Sequence, residues 1–180
     1  MIINAAVEIV RRDGFEGINA RTVAGQLGCS TQPVMYHFTT VDSLKQAAYA
    51  QADQMHSKYL MDIPDDQNPV LGIGLNYIRF AVEEPRLFRF LFQSGYAAGN
   101  SLLEMMDSQE LLPVLTVMRE GAGVSMEKTR QVFLTVAMFA HGYASIIASN
   151  GLAYDEELIA EHLEYAWNGA VLAAGQEDTE

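Results

Sequence analysis

The feature that most constrains this chain is a long uncharged stretch, residues 131–154, which contains no Asp, Glu, Lys or Arg. Its apolar residues fall on nearly every side of a helix, so the whole circumference of that helix has to be covered. Since about 20 apolar residues can cross a bilayer, a membrane span is one interpretation. The stretch also contains polar residues and lacks the aromatic belt and basic loop that flank membrane segments. We therefore favour a buried helix and expect no membrane partner.

The rest of the chain shows helical periodicity and almost no strand signals. Apolar residues recur three and four positions apart, and Gly, Pro and capping residues separate the periodic segments. We predict caps at Asn19, Ser30, Thr39 or Thr40, and Ser125, and an interruption near Pro113. The sequence thus predicts an all-α protein of about nine helices, over residues 2–13, 19–27, 30–38, 40–61, 70–83, 85–94, 101–120, 125–150 and 155–174.

The acidic charge is unevenly distributed along the chain. The formal net charge is −12, but residues 1–45 contain four basic and four acidic side chains, so the whole excess falls in residues 46–180. A strongly acidic protein binds phosphate backbones poorly, and that objection does not apply to the neutral first 45 residues. Residues 1–10 lack the pattern of a secretory signal, and Cys29 is the single cysteine. We expect a cytoplasmic location.

Residues 20–38 contain the most informative motif, two short helices that meet at Gly28. Glycine can adopt the left-handed conformation that a three- or four-residue turn requires. The spacing of the apolar residues around this turn predicts a helix-turn-helix, in which the second helix enters the major groove of DNA. The alternative is an ordinary helical hairpin whose polar residues face water. The apolar contacts that fix the crossing angle are expected from Val23, Leu27 and Val34.

The second helix of this motif begins at Ser30 and has Pro33 in its first turn, where the missing N–H has no intrahelical partner to lose. Since Pro33 offers no N–H, we predict that the Ser30 hydroxyl caps the N–H of Gln32. Thr31, Gln32 and Pro33 are then presented to base edges, while Tyr36 and His37 lie one turn further on, near the phosphates. Cys29 is expected to be buried and inert.

Residues 2–45 resemble the N-terminal domain of TetR-type transcriptional regulators. The matching residues are Arg12-Asp13-Gly14-Phe15-Glu16, Val23-Ala24, Leu27-Gly28-Cys29-Ser30, Val34, His37-Phe38 and Leu44-Lys45. The chain departs from the family pattern at Met35, where an aromatic residue is usual, and at Val41, where Lys is usual. The resemblance implies a helix-turn-helix DNA-binding domain over residues 1–45 and a larger helical effector-binding and dimerisation domain over residues 46–180. The DNA-binding residues are expected to be Arg21, Thr31, Gln32, Pro33, Met35, Tyr36, His37 and Lys45.

The second part of the chain is similar to one ligand-binding subgroup of that family at Pro85-Arg86-Leu87-Phe88, at His141-Gly142 and in a last helix with Trp167. Met and aromatic residues are frequent over residues 80–143, and they fit either a plain core or a pocket for an apolar or aromatic effector. His141 likewise fits a hydrogen-bonded core histidine or a polar pocket contact. The resemblance implies that a pocket exists. Its candidate residues are Phe88, Phe92, Met105, Met118, Met138 and His141.

A dimer is predicted from the last two helices. Ala140, Ala144 and Ala148 recur every four residues, which gives a flat stripe where another helix can approach closely. We expect a two-fold homodimer with a four-helix contact, which also suits a palindromic DNA site. The alternative is that both helices are covered within one subunit. The expected interface residues are Phe133, Ala140, Ala144, Ile147, Leu163, Trp167 and Ala170.

Signals for catalysis are weak. A di-metal helical bundle needs two Glu-x-x-His motifs, and the nearest match here is a single Asp53-Gln54-Met55-His56. No metal-binding, nucleophile or phosphate-loop motif is present. We therefore expect no catalytic residue, metal or cofactor, and we predict a dimeric repressor that a small apolar or aromatic effector releases from operator DNA. The alternatives are a helical-bundle metal enzyme that uses His56 and a membrane-associated helical protein.

Overall fold

The computed structural model describes residues 1–65, 67–96 and 108–176, and within them the chain forms α-helices and short 3₁₀ turns with no strand. The all-α prediction is confirmed. Residues 101–107 of the predicted helical region 101–120 lie outside the described residues. Nine α-helices lie within them: α1 (Ile2–Asp13), α2 (Ala20–Leu27), α3 (Thr31–His37), α4 (Val41–Leu60), α5 (Pro69–Glu83), α6 (Pro85–Gln93), α7 (Leu112–Ala122), α8 (Met126–Asn150) and α9 (Glu156–Gln176).

Three of the four predicted caps form. Asn19 accepts the N–H groups of Arg21 and Thr22, both at 3.0 Å, and Thr40 accepts the N–H of Ser43 at 3.0 Å. Ser125 accepts the N–H of Lys128 at 3.3 Å. These side-chain oxygens satisfy amides that have no partner inside the helix.

One of the local predictions is wrong, and another is confirmed. Ser30 lies at the N-cap of α3, but its side chain makes no capping hydrogen bond. A cap normally accepts from the second or third helical N–H, and Pro33 has removed the third. The predicted interruption near Pro113 is present, because a 3₁₀ turn over Gln109–Leu111 precedes α7. Pro113 lies in the first turn of α7, where proline costs no hydrogen bond.

The chain divides into two compact units. The first contains Met1–Ser57 and Glu83–Ala97, and the second contains Lys58–Val82 and Ala98–Glu180. The first unit is therefore larger than the predicted segment 1–45, because it also includes α4 as far as Ser57 and helix α6, which packs against α1. The division of function at residue 45 remains a prediction. The fully buried side chains of α6 are Leu87, Phe88 and Phe90, with Leu91 at 1% exposure.

The second unit is built mainly from α5, α7, α8 and α9, with α8 and α9 packed along each other. Helix α8 contains most of the uncharged stretch 131–154 and is buried along one side only, where its buried residues recur every three or four positions. By length and composition α8 could cross a membrane. In its apolar 18-residue segment, 28% is buried inside the protein. The buried side consists of Thr129, Val132, Val136, Ala140, Ala144 and Ile147.

Candidate nucleic-acid interface

The turn between α2 and α3 has the geometry that the sequence predicts. Gly28 ends α2 in the left-handed conformation, with φ 66° and ψ 30°. The N–H of Cys29 then donates to the carbonyl of Ala24 at 3.0 Å, which closes the helix end. Val23 and Val34 are buried at 0% and 1% exposure, so the apolar contact between the two helices forms as expected.

The short helix α3 carries most of the predicted DNA-binding residues. Successive helical residues are rotated by about 100°, so the buried Val34 places Gln32 and Tyr36 on the opposite, outward side. Tyr36 is 83% exposed, and its ring meets the ring of His37 edge-on at 5.4 Å. The exposed residues of α3 are Thr31, Gln32, Pro33, Met35, Tyr36 and His37.

Two predicted cations lie in the same unit. Arg21 is exposed in the first turn of α2. Lys45 is half-buried on α4, with its ammonium 5.7 Å from the centre of the Phe15 ring. Arg12 is differently placed, because it forms an ion pair with Asp13 at 2.7 Å. The hydrogen bond from Arg12 lowers the pKa of the Asp13 carboxyl.

Cys29 is exposed, so its predicted burial is wrong. The left-handed Gly28 turns the chain at the surface of the unit, and the next residue remains in solvent. The structure also shows a contact that no sequence signal indicated. The guanidinium of Arg86, at the start of α6, donates to the last carbonyls of α1, those of Arg11 and Arg12. Glu84 pairs with Arg11 at 3.0 Å beside it.

The candidate effector residues are divided between the units. Phe88 and Phe92 belong to the first unit, with ring centres 4.8 Å apart. Phe88 is fully buried and Phe92 is half-buried. In the second unit Met118 is buried and Met138 is 46% exposed. Met105 lies outside the described residues.

His141 has a hydrogen-bond partner on each ring nitrogen. The hydroxyl of Tyr77 lies 2.9 Å from Nδ1, and the hydroxyl of Ser145 lies 3.1 Å from Nε2. Burial lowers the pKa of His141 and raises that of Tyr77, so a neutral imidazole faces a protonated phenol. A neutral imidazole that accepts from Tyr77 donates to Ser145. This arrangement supports the interpretation of His141 as a hydrogen-bonded core histidine.

The candidate interface residues on α8 and α9 are mostly covered by the chain itself. Phe133 and Trp167 are half-buried. The alanine stripe therefore serves close packing inside one chain, and a partner helix would meet other side chains of α8 and α9. The buried candidates are Ala140, Ala144, Ile147, Leu163 and Ala170, whereas the exposed apolar residues of these helices are Met138, Ile146, Leu158, Tyr165 and Leu172.

His56, the residue on which the metal-enzyme alternative depends, is buried with its ring 5.3 Å from that of Phe92. Burial lowers its pKa to about 4. Within residues 1–65, 67–96 and 108–176, no three His, Cys, Asp or Glu side chains are grouped as a metal site.

Comparison with known proteins relates this architecture to one family of regulators. A family profile described as "Tetracyclin repressor-like, C-terminal domain" matches residues 70–166. A 73-residue segment of the chain is 35% identical to the HTH-type nicotine-responsive transcriptional repressor HdnoR of Paenarthrobacter nicotinovorans. That segment is 41% of this chain and only 38% of HdnoR.

Solved structures share the fold. A TetR-family regulator from Streptomyces coelicolor superposes with a TM-score of 0.73 at 17% identity, covering 98% of this chain and 80% of that one. The multidrug-binding protein EbrR, solved with ethidium, has a TM-score of 0.57 at 22% identity and covers 92% and 95% of the two chains. Because the family profile matches more than half of the sequence, the chain belongs to the TetR family of DNA-binding transcriptional repressors that bind small-molecule ligands.

Proposed function

We propose that the protein is a dimeric, sequence-specific repressor. Residues 1–45 bind a palindromic operator, and residues 46–180 form the homodimer and bind a small apolar or aromatic effector that releases the DNA. The observation that carries this proposal is the outward face of α3, where Gln32 and Tyr36 stand opposite the buried Val34. In a helix-turn-helix, the exposed face of the second helix, which follows the turn, is the face that enters the major groove.

The dimer is supported by apolar side chains that α8 and α9 leave in solvent. Ile146 is 49% exposed, and Tyr165 and Leu172 are 62% and 65% exposed. Covering such residues against a second copy removes apolar surface from water. The two α3 recognition helices of a dimer, about 34–36 Å apart, can then read two half-sites on one side of the duplex.

We expect a protein of this kind to work in the cytoplasm, as its family members usually do.

The class of effector is supported by the ligands of related proteins. HdnoR is named for its response to nicotine, and EbrR was solved with ethidium. Both of these ligands contain aromatic rings. In this chain the Met and aromatic residues of the candidate set, including Phe92 and Met138, provide adaptable apolar contacts. The operator DNA is released if the effector binds better to a conformation of the dimer in which the distance between the two α3 helices no longer matches the half-site spacing.

The chain passes between its two compact units three times: within α4, at the end of α5, and between Ala97 and Ala98. Any of these passages can transmit a change in the second unit to the first. We infer a regulatory protein without enzymatic activity, since its relatives are regulators.

Selection of bound DNA from a random pool tests the proposal. We expect enrichment of a sequence with two inverted half-sites. The double variant Gln32→Ala/Tyr36→Ala should lose this enrichment. Gln54→Ala changes another exposed glutamine, on α4, and this matched control should retain it. If the protein enriches no sequence, or if the double variant selects the same one, α3 does not read an operator.

A further inference from the structure

The segment Thr22–Val41, which we call the reading segment, carries no formal charge. From Thr22 to Val41 the sequence contains no Asp, Glu, Lys or Arg, and this range includes the turn and the whole of α3. Any base pair that faces α3 therefore meets neutral hydrogen-bonding groups, apolar groups and the imidazole of His37. This is unusual chemistry for base recognition, because the commonest specific contact is Arg or Lys to guanine.

The arrangement of these neutral groups on the helix is defined. Gln32 lies at the centre of the outward face, one turn before Tyr36, and both point away from the buried Val34. The side chains that flank this centre offer apolar groups: the ring of Pro33 on one side, with the methyl group of Thr31 and the side chain of Met35 on the other. All of them are exposed, and Met35 keeps 43% of its surface in solvent.

Each base pair shows a different set of groups in the major groove. A glutamine amide matches the N6 and N7 atoms of adenine, and apolar side chains match the C5-methyl group of thymine. Guanine is matched by Arg or Lys, and the amino group of cytosine is matched by Asp or Glu. The exposed face of α3 offers the first pair of partners and neither of the second pair.

Resting on the proposed operator binding, we infer that the base pairs facing α3 are A·T pairs. Gln32 makes two hydrogen bonds to an adenine, and thymine methyl groups on adjacent steps pack against Pro33 and against Thr31 or Met35. The methyl groups are thus part of the recognition, so the protein distinguishes thymine from uracil in its operator.

The test starts from the half-site selected from a random pool and changes single base pairs in it. Replacing the adenine that faces Gln32 by guanine should weaken binding by about 5- to 150-fold, the usual worth of a bidentate contact. Replacing a contacted thymine by uracil removes only the methyl group and should weaken binding about fourfold. Replacing the same pair by 5-methylcytosine and guanine restores the methyl group and should recover part of that loss.

Protein variants assign these effects to residues. Gln32→Ala should bind the adenine and guanine half-sites equally, and Pro33→Ala should reduce the difference between thymine and uracil. Gln54→Ala should leave both differences unchanged. A selected half-site whose α3 contacts are G·C pairs, or equal binding of thymine and uracil operators, overturns the inference while operator binding stands. Failure to select any sequence overturns both.

Discussion

At the scale of single residues, the buried imidazole of His56 makes stability depend on pH. Its pKa is lowered to about 4 by burial, whereas an unfolded chain titrates near 6.5. Between these values the unfolded state binds more protons, so stability rises with pH. The contribution of the neutral His56 to the free energy of unfolding is fully present above about pH 6.5 and is lost as the pH falls towards 4. We expect this residue alone to make the protein about 2 kcal/mol less stable at pH 5 than at pH 7.5.

Urea unfolding of the wild type and of His56→Gln at both pH values measures this effect. The variant should lose most of the pH dependence that His56 causes. It should keep the part due to His141, whose pKa burial also lowers. An equal drop in stability for both proteins between pH 7.5 and pH 5 would show that His56 is not the group that titrates.

Two glycines of the helix-turn-helix allow a matched test of backbone strain. Gly28 has φ 66° and Gly25 lies inside α2, and a Cβ built on either meets nothing within 4 Å. Gly28→Ala should therefore cost about 1 kcal/mol from the left-handed backbone alone. Gly25→Ala should stabilise the protein by about 0.5–1 kcal/mol, because alanine is the better helix former. Denaturant unfolding gives both values, and equal signs would contradict the assigned turn.

At the scale of helices, local sequence signals predict where each helix begins and ends. Long-range contacts determine which unit a helix joins and which helix it packs against. The caps at Asn19, Thr40 and Ser125 could be predicted because a cap and its target lie within three residues. The membership of α6 in the first unit could not, because it depends on contacts more than 70 residues apart in sequence, such as that from Arg86 to Arg11. An alanine stripe likewise indicates close packing without indicating whether the partner helix belongs to the same chain.

The contact of α6 with α1 leads to a prediction for Arg86. Its guanidinium donates to carbonyls at the end of α1, which have no partner inside that helix. Arg86→Ala should cost about 1 kcal/mol, a low value for a charged hydrogen bond because the site is exposed. The control is Arg89→Ala on the same helix, which should cost less. Thermal unfolding and hydrogen exchange at the end of α1 measure the difference, and equal costs would remove Arg86 from this role.

At the scale of the whole molecule, the proposed dimer should depend on the exposed side chains of α8 and α9. Ile146 is 49% exposed on α8, and Ile146→Glu places a charge in a surface that association would desolvate. We expect this variant to sediment as a monomer and to lose operator affinity. Leu112→Glu, at a residue of α7 that is 45% exposed, should remain dimeric. A dimeric Ile146→Glu variant would place the interface elsewhere.

The charge distribution of the molecule also predicts how salt affects operator binding. Within residues 1–45, Arg11 and Arg12 are paired with carboxylates and the segment Thr22–Val41 is uncharged, which leaves Arg21 and Lys45 as the predicted phosphate contacts. Four cations in a dimer correspond to a slope of about −4 in a plot of log binding constant against log salt concentration. Arg21→Ala removes two of them and should reduce the slope to about −2.

Arg119→Ala, an exposed cation on α7, should leave that slope unchanged. A wild-type slope near −10 would instead mean that other cations contact the phosphates, and an unchanged slope for Arg21→Ala would exclude Arg21 from the interface. If the dimer makes so few phosphate contacts and has a net charge of −12 per chain, we expect it to have little nonspecific affinity for DNA. Its preference for one operator must then come from the bases themselves, so the affinity lost in a scrambled operator should nearly equal the whole measurable affinity.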